Sequence, residues 1–365
     1  MADRITNYQC PACTGPLRFD PVTGQLTCDY CSSSYDVAEI EALYAEKDET
    51  AAQAAQAAAG QETPEGSPWS EAEAAGLKVY NCPSCGAELI CDQTTAASSC
   101  PYCGNPAIVP GELSGALKPD WVIPFKQTKE EAVAALKAHY RKKPLLPKTF
   151  SSQNHLEEIK GVYAPFWLYD GEARGSATFH ATKVRHWNEG PYRVTETSHF
   201  QCERRGSLSF RRIPVDSSTK MPDAHMDAIE PYDFQELQPF STAYLPGYMA
   251  DKYDVDADAA EDRARTRAEG STVGALEATV TGYASVARES VDISYRRTGL
   301  HYALLPVWLL STKWNEKNYL FAVNGQTGKL VGDLPIDKGR LAAWFCGSFA
   351  VGAVIAALVL GTFVF

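Results

Sequence analysis

The sequence predicts two small zinc ribbons followed by an α+β domain with antiparallel sheets and one C-terminal transmembrane helix. Three observations predict this fold class. A CxxC-x14-CxxC pattern occurs twice near the N-terminus, apolar and polar residues alternate with period two between residues 162 and 213, and an uncharged apolar stretch ends the sequence. With 365 residues, of which 45% are hydrophobic, the chain can bury at least one sizeable core, so we expect several domains.

The first ribbon is predicted over residues 1–40. Its two cysteine pairs enclose two strand-like segments joined by a DPVTG turn at residues 20–24. The predicted metal ligands are Cys10, Cys13, Cys28 and Cys31. A linker rich in Ala, Gln and Glu follows at 41–77, and its composition cannot supply a core of its own.

The second ribbon is predicted over residues 78–112 and repeats the spacing of the first, which favours an internal duplication. Gly86 and Gly104 follow its two cysteine pairs, where a left-handed turn lets backbone N–H groups point at sulfur. The predicted ligands are Cys82, Cys85, Cys100 and Cys103.

Residues 113–340 form the predicted α+β domain. Thr128 and Glu131 make a T-x-x-E capping box before a helix at 129–140, and a second helix is expected at 256–279. Antiparallel strands are expected at 162–170, 177–187, 192–203 and 207–213. The segment 301–308 echoes 161–167, each with Tyr, Pro and Trp, so a repeated half-domain is a second reading of this region.

The stretch 341–365 predicts a transmembrane helix, since it carries no charge and would reach about 37 Å as a helix. Lys338 and Arg340 precede it, which favours a tail-anchored, single-pass protein of the cell membrane with its N-terminal bulk facing the cytoplasm. The Ser348, Gly352 and Ala356 positions offer a weak helix-packing motif.

Four thiolates at this spacing predict two structural zinc ions, one in each ribbon, and no other cofactor. Cysteine pairs without a signal peptide indicate metal ligands in a reducing compartment and not disulfides. Cys91 is interpreted as a packing residue, Cys202 as a strand residue and Cys346 as a residue of the membrane helix. The histidines His180, His186 and His199 lie on β-rich segments and could converge, but a second metal site is not the favoured reading.

No catalytic motif occurs in the sequence, and a zinc ion with four sulfur ligands has no open position for a substrate. We therefore expect no enzymatic activity. The net charge of −11 and the scarcity of Lys and Arg in both ribbons oppose nucleic-acid binding. The basic stretch 137–143 either binds anionic groups or complements the dipole of its helix, and the second reading is favoured.

Seven specific stretches carry a resemblance that extends over nearly the whole chain except the acidic linker: the cysteine pairs at 82–103 with Asn105-Pro, LKPDWVIPF at 117–125, GVYAPFW at 161–167, IPVD at 213–216, IEPYD at 229–233, AYLPGYMADKYD at 243–254 and NGQTGKLVG at 324–332. In these the chain resembles the bacterial YdjG-like family, often labelled TFIIB-type zinc-ribbon proteins. The resemblance implies eight zinc ligands, which match one by one, and no catalytic residues. It also implies membrane association with an SPFH-type protein and with the PspA envelope-stress system.

Three classes of function remain. The favoured one is a non-enzymatic, membrane-anchored adaptor or scaffold that recruits protein partners in an envelope-stress response. The second is a zinc-ribbon protein that binds nucleic acid while tethered to the membrane. The third is an enzyme whose pocket is lined by the aromatic strands around Trp167, Trp187, Trp308 and Trp314. The identity of the partner and the oligomeric state do not follow from the sequence.

Overall fold

The structure is a computed structural model that describes residues 10–11, 17–21, 23–28, 32–45, 67–93, 95, 99–106, 109–111, 117–141, 143–147, 150, 158–315 and 317–363, with the backbone alone at 41, 43–45, 67, 71–72, 111 and 354–363. The first ribbon contains a three-stranded antiparallel sheet and a helix: β1 (Leu17–Asp20), β2 (Gln25–Cys28), β3 (Ser34–Tyr35) and α1 (Val37–Ala45). Alternation brings Leu17, Phe19 and Leu26 to one face, where they are buried together with Ile40 of the helix.

The second ribbon is built from β5 and its two neighbours. In chain order this region contains β4 (Ser67–Pro68), α2 (Glu71–Ala75), β5 (Leu77–Asn81), β6 (Glu88–Asp92), β7 (Val109–Gly111) and β8 (Leu117–Lys118). Strand β5 pairs with β6 on one side and with β7 on the other, while β4 pairs with β8. The second ribbon therefore presents β6 as the strand that can join a larger sheet.

The helix predicted at 129–140 is confirmed. After β9 (Trp121–Val122), helix α3 (Lys129–Arg141) starts at the expected capping box. The backbone N–H of Glu131 donates to Thr128 Oγ1 at 3.2 Å, and the N–H of Thr128 donates to Glu131 Oε2 at 2.9 Å. Ala132, Val133, Leu136 and Tyr140 form its buried face.

The remaining chain is dominated by three very long strands. The elements are β10 (Lys160–Glu189), β11 (Tyr192–Asp216), α4 (Asp223–Ile229), β12 (Gln238–Pro239), β13 (Met249–Asp251), α5 (Ala257–Ala278), β14 (Ser285–Trp314), β15 (Lys317–Asn324), β16 (Leu330–Gly332) and α6 (Lys338–Phe363). The structure has two strands where the sequence predicts four between residues 162 and 213. The period-two alternation continues through the predicted breaks, and the pairing of β10 with β11 has a single register shift, at Tyr169/Gly171.

One sheet of eleven strands unites the second ribbon with the rest of the described chain. Strands β10 and β14 are its antiparallel centre, and each carries a short parallel neighbour: β13 beside β10, and β9 beside β14. The two echoing sequence segments face each other here, with Gly161 opposite Trp308 and Trp167 opposite Tyr302. Strand β6 pairs with β13, so the second ribbon continues the same sheet.

Beyond this buried centre, β10, β11 and β14 extend into a three-stranded arm, which we define as residues 171–189, 192–210 and 285–299. At about 3.3 Å per residue its longest strand reaches about 60 Å. Helix α5 has 22 residues and spans about 33 Å, so it covers only the inner part of one face of the arm. There Phe179 and Cys202 pack against Leu276 and Val280. The outer end, residues 181–200, is the tip; from Lys183 outward only β10 and β11 pair in the described sheet.

The predicted C-terminal transmembrane helix is wrong. Helix α6 forms, but among the described residues no helix combines the length and the apolar character that a membrane span requires. A span needs about 20 consecutive, mostly apolar residues.

The tail-anchored topology and the single-pass localisation with a cytoplasmic bulk rested on that helix, and they are wrong for the same reason. The fold class is corrected accordingly: the chain is mostly sheet, at 45%, with six helices among the described residues. The long strands account for this high strand content. Segments that the sequence predicts as separate short strands join into continuous strands, because they pair with residues far away in the sequence.

Candidate metal centre

Two tight turns of the second ribbon present its four cysteines. In the first turn the N–H of Gly86 donates to the Cys82 carbonyl at 2.8 Å, and the N–H of Cys82 donates to the Ala87 carbonyl at 2.9 Å. The second turn repeats this pattern from Cys100 to Gly104 at 3.0 Å. Gly86 and Gly104 have φ values of +70° and +72°, a left-handed conformation that glycine adopts without strain. The glycines expected from the sequence therefore do close the turns.

The four sulfur atoms of this ribbon lie close enough to share one metal ion. The ligand atoms of Cys82, Cys85, Cys100 and Cys103 are all within 4.8 Å of one another. Across the two turns the Cys82–Cys103 and Cys85–Cys100 Sγ–Sγ distances are both 3.6 Å. Among the residues that the structure describes, this is the one group of three or more His, Cys, Asp or Glu side chains with such geometry.

The turns also set the protonation of the thiols. Burial raises the pKa of Cys82, but hydrogen bonds from the backbone N–H groups of Cys85 and Ser84 outweigh it, and the pKa falls to about 7. Burial raises the pKa of Cys85 to about 11, and it raises the pKa of Cys100 as well. Cys82 therefore offers a thiolate to a metal more readily than Cys85 or Cys100.

Two lysines from the long-strand region flank the cluster. Lys160 of β10 donates to the Ser99 carbonyl at 2.6 Å and also bonds the Ser99 hydroxyl, next to Cys100. Lys220 lies beside Gly86 and pairs with Asp254 at 2.9 Å. Both cations are partly buried and lie where they can offset the negative charge of the thiolates. No sequence spacing pointed to either residue.

Tyr102, between the two cysteines of the second turn, fixes the ribbon to the body of the sheet. Its hydroxyl donates to Asp251 Oδ2 at 2.8 Å, and Ser218 Oγ donates to the same oxygen at 2.8 Å. Asp251 is 1% exposed and lies at the end of β13, where it pairs with Leu89 of β6. Burial raises the pKa of Asp251 to about 7, although both hydrogen bonds lower it. This buried carboxyl was not predicted.

The first ribbon is described in part. Cys10 and Cys28 are buried at 1% and 2% exposure, whereas Cys13 and Cys31 lie outside the described residues. The turn after Cys28 repeats the pattern of the second ribbon: the N–H of Ser32 donates to the Cys28 carbonyl at 2.9 Å, and Ser32 has a φ of +57°. The backbone thus supports the duplication, with Ser32 in the place of a glycine.

The other cysteines do not join the cluster. Cys91 is buried in β6, Cys202 is buried in the arm, and Cys346 is exposed on α6. Of the three histidines of β10 and β11, His180 and His199 come together, while His186 bonds Thr195 at 2.9 Å. The basic stretch after Lys137 coincides with the end of α3 at Arg141.

Fold and site together define a sheet-rich protein with duplicated cysteine turns and a four-cysteine cluster able to hold a metal ion. The chain is 37% identical over 343 residues to the uncharacterized protein YdjG of Bacillus subtilis (strain 168), and the match covers 94% of each chain. The chain belongs to the YdjG family, so the family resemblance seen in the sequence is confirmed. No family model matches the chain. No solved structure matches it either.

Proposed function

We propose that the chain is a non-enzymatic, zinc-binding adaptor that binds a protein partner through the tip of its arm. The observation that supports this most directly is a row of aromatic side chains on the face of the tip that continues from α5. Trp187, Tyr192 and Phe200 share this face by register and are 42%, 75% and 38% exposed. Exposed aromatic residues in one patch are typical of protein-binding surfaces.

The inner end of this row is bordered by cations, whereas Glu189 lies directly opposite Tyr192 at its outer end. Lys183 lies 5.5 Å from the Phe200 ring centroid and 5.0 Å from that of Tyr283, so a cation borders the aromatic surface. Arg185 adds a second cation on this face, with Glu196 directly opposite it, whereas Arg193 lies on the other face of the tip. We propose a partner segment that inserts apolar side chains between the aromatic rings and brings carboxylates to Lys183 and Arg185.

The partner class comes from the family resemblance of the sequence. It implies an SPFH-type protein, together with a PspA-like protein of an envelope-stress response, and we propose both as candidates.

The non-enzymatic part of the proposal rests on the cluster chemistry, because an ion held by four sulfur atoms keeps no position for a substrate or a reactive water.

For the metal we propose zinc, bound as a structural ion in each ribbon. A tetrahedral ion with metal–sulfur bonds of about 2.3 Å holds its sulfur atoms about 3.8 Å apart. The Cys82–Cys103 and Cys85–Cys100 Sγ–Sγ distances, both 3.6 Å, are close to this value. Four thiolates and one Zn²⁺ would carry a net charge of −2, which Lys160 and Lys220 are placed to offset. The first ribbon would use Cys10, Cys13, Cys28 and Cys31.

Metal analysis tests the zinc assignment. The wild-type protein should contain two zinc ions per chain, and Cys100→Ser should reduce the content to about one, because loss of one ligand opens the small site. Cys91→Ala is the matched control: Cys91 is also buried in the second ribbon, and burial raises the pKa of its thiol to about 12, so it supplies no thiolate. Full zinc content in Cys100→Ser would contradict the assignment.

Affinity measurement with a purified SPFH-type protein tests the adaptor proposal. We expect Trp187→Ser and Tyr192→Ser each to weaken binding about 30-fold, since truncation of an aromatic anchor costs about 2 kcal/mol or more. Val109→Ser is the control, because Val109 is 49% exposed but lies on β7, outside the arm. Equal affinities for the wild type and both tip variants would refute the proposed surface.

The same variants separate the adaptor from a nucleic-acid binder. The arm is locally basic although the whole chain has a net charge of −11. A nucleic-acid ligand would bind more weakly as salt increases, in proportion to the phosphates contacted. Salt-sensitive binding of the full chain to single-stranded DNA or RNA, lost in Trp187→Ser, would therefore favour the nucleic-acid class over the adaptor.

A further inference from the structure

The outer face of the arm, opposite α5, carries three exposed histidines. His180 and His186 lie on β10 and His199 lies on β11. The register places His199 directly opposite Thr182, so His180 and His199 are diagonal neighbours on one face of the ladder. His186 is on the same face, further towards the end of the tip. All three side chains are exposed, and they differ in whether their rings contact one another.

The imidazole rings of His180 and His199 converge. His180 Nε2 and His199 Nδ1 are 3.0 Å apart, and the ring centroids are 5.1 Å apart with an interplanar angle of 26°. One of these nitrogen atoms donates its proton to the other. Because the rings are exposed and the χ2 torsion of histidine is broad, small rotations can turn both lone pairs towards one point in solvent.

We infer that His180 and His199 form a bidentate site for an exchangeable divalent transition-metal ion of the Ni²⁺ or Cu²⁺ type. Neutral imidazole is a ligand that these ions prefer. With metal–nitrogen bonds of about 2.05 Å, two nitrogen atoms 3.0 Å apart subtend about 94° at the ion. This angle suits square-planar or octahedral coordination, whereas a tetrahedral ion needs the nitrogen atoms about 3.3 Å apart.

The surroundings of the pair are polar and open. Gln201 lies directly opposite His180, and its side-chain amide donates to Glu289 Oε2 of β14 at 3.4 Å. A carboxylate is thus present on the same face, and its negative charge favours a cation there. Water fills the other coordination positions, because the site is exposed. The ion therefore exchanges readily, unlike one enclosed by the four buried and half-buried cysteines of the ribbon.

The site is distinct from the cysteine cluster in position, donor type and expected ion. It is also independent of the aromatic surface, which occupies the other face of the tip. Loss of metal binding at the histidines would leave the proposed adaptor surface intact, and loss of partner binding in the tip variants would leave the histidines intact. The two proposals can therefore fail separately.

Isothermal titration of the full chain with Ni²⁺ tests this site. The protein carries no histidine tag, is saturated with zinc beforehand, and is studied at pH 7.5. We expect one Ni²⁺ site per chain in the wild type. His180→Gln and His199→Gln should each lower the affinity at least tenfold, whereas His186→Gln, an exposed histidine on the same face, should leave it unchanged.

Two further measurements keep the result unambiguous. Zinc content and thermal unfolding of each variant show whether the ribbons and the arm are intact, and Cu²⁺ electron paramagnetic resonance reports the number of nitrogen ligands, with two expected. Absence of a Ni²⁺ site in the wild type would overturn the inference. So would an equal loss of affinity in His186→Gln, or a retained site in the double variant of His180 and His199.

Discussion

Replacement of Asp251 by asparagine tests how the second ribbon is held to the body of the sheet. Asp251 is 1% exposed, and its Oδ2 accepts hydrogen bonds from Tyr102 of the ribbon and from Ser218. Its Oδ1 is buried and has no hydrogen-bond partner within the described part of the chain. Burial raises the pKa of this carboxyl to about 7. The protein therefore pays a free-energy cost for ionising Asp251 in the folded state.

The pH dependence follows from the difference between folded and unfolded pKa values. An aspartate in the unfolded chain has a pKa of about 3.9, so between about pH 4 and pH 7 the folded state binds more protons at this position. Stability contributed by the protonated carboxyl is present at low pH and is lost as the pH rises towards 7. Asparagine cannot ionise. Between pH 5.5 and 8.5 the unfolding free energy of Asp251→Asn should therefore rise by about 2 kcal/mol relative to the wild type.

Denaturant unfolding at pH 5.5 and pH 8.5, followed by tryptophan fluorescence with zinc in excess, measures this difference. Asp254→Asn is the control from the same segment. Burial raises the pKa of Asp254, but hydrogen bonds from Thr219 and Lys220 outweigh it and lower the pKa, so its ionised form stabilises the fold. Asp254→Asn should therefore lose stability at pH 8.5. Parallel pH profiles for the wild type and Asp251→Asn would refute the reasoning.

Three further predictions use the same unfolding assay. Tyr102→Phe leaves a buried carboxyl oxygen with one donor fewer, and we expect a loss of about 1–3 kcal/mol. Gly86→Ala should lower the unfolding free energy by about 1 kcal/mol, because Gly86 has a φ of +70°. Gly270→Ala should raise it by about 0.5–1 kcal/mol, because Gly270 lies inside α5 with open space around it. Equal effects of the two substitutions would contradict the backbone argument. Arg263→Met removes the partner of buried Asp216 and should cost about 3 kcal/mol, and an unchanged stability would show that this ion pair contributes nothing.

Local features of the chain followed from the sequence because they depend on neighbours a few residues away. The capping box at Thr128 and Glu131 forms as predicted. The helix expected at 256–279 is observed as α5, Ala257–Ala278. The cysteine turns close at Gly86 and Gly104, since a five-residue hydrogen-bonded turn is complete within its own sequence. Period-two alternation also identified the β-rich regions, although it broke the long strands into shorter ones.

Long-range features were not predictable in this way. The pairing of β6 with β13 joins residues about 160 positions apart, and no local signal marks it. For the C-terminal helix, a local signal was present but misleading. Its apolar composition predicted a membrane span that the described helix does not provide. The alternation predicted that His180 and His199 lie on strands, but only the register of β10 with β11 decided that their rings meet.

The sequence by itself determined the four-cysteine cluster of the second ribbon, the positions of the turns that present its thiols, and the membership of the YdjG family. Only the tertiary structure decided that the second ribbon shares one sheet with the long strands, that Tyr102 reaches a buried carboxyl at the end of β13, and that an arm extends beyond α5. The physical reason is that a turn satisfies its hydrogen bonds locally. A strand takes its partners, and a buried charge its donors, from distant parts of the chain.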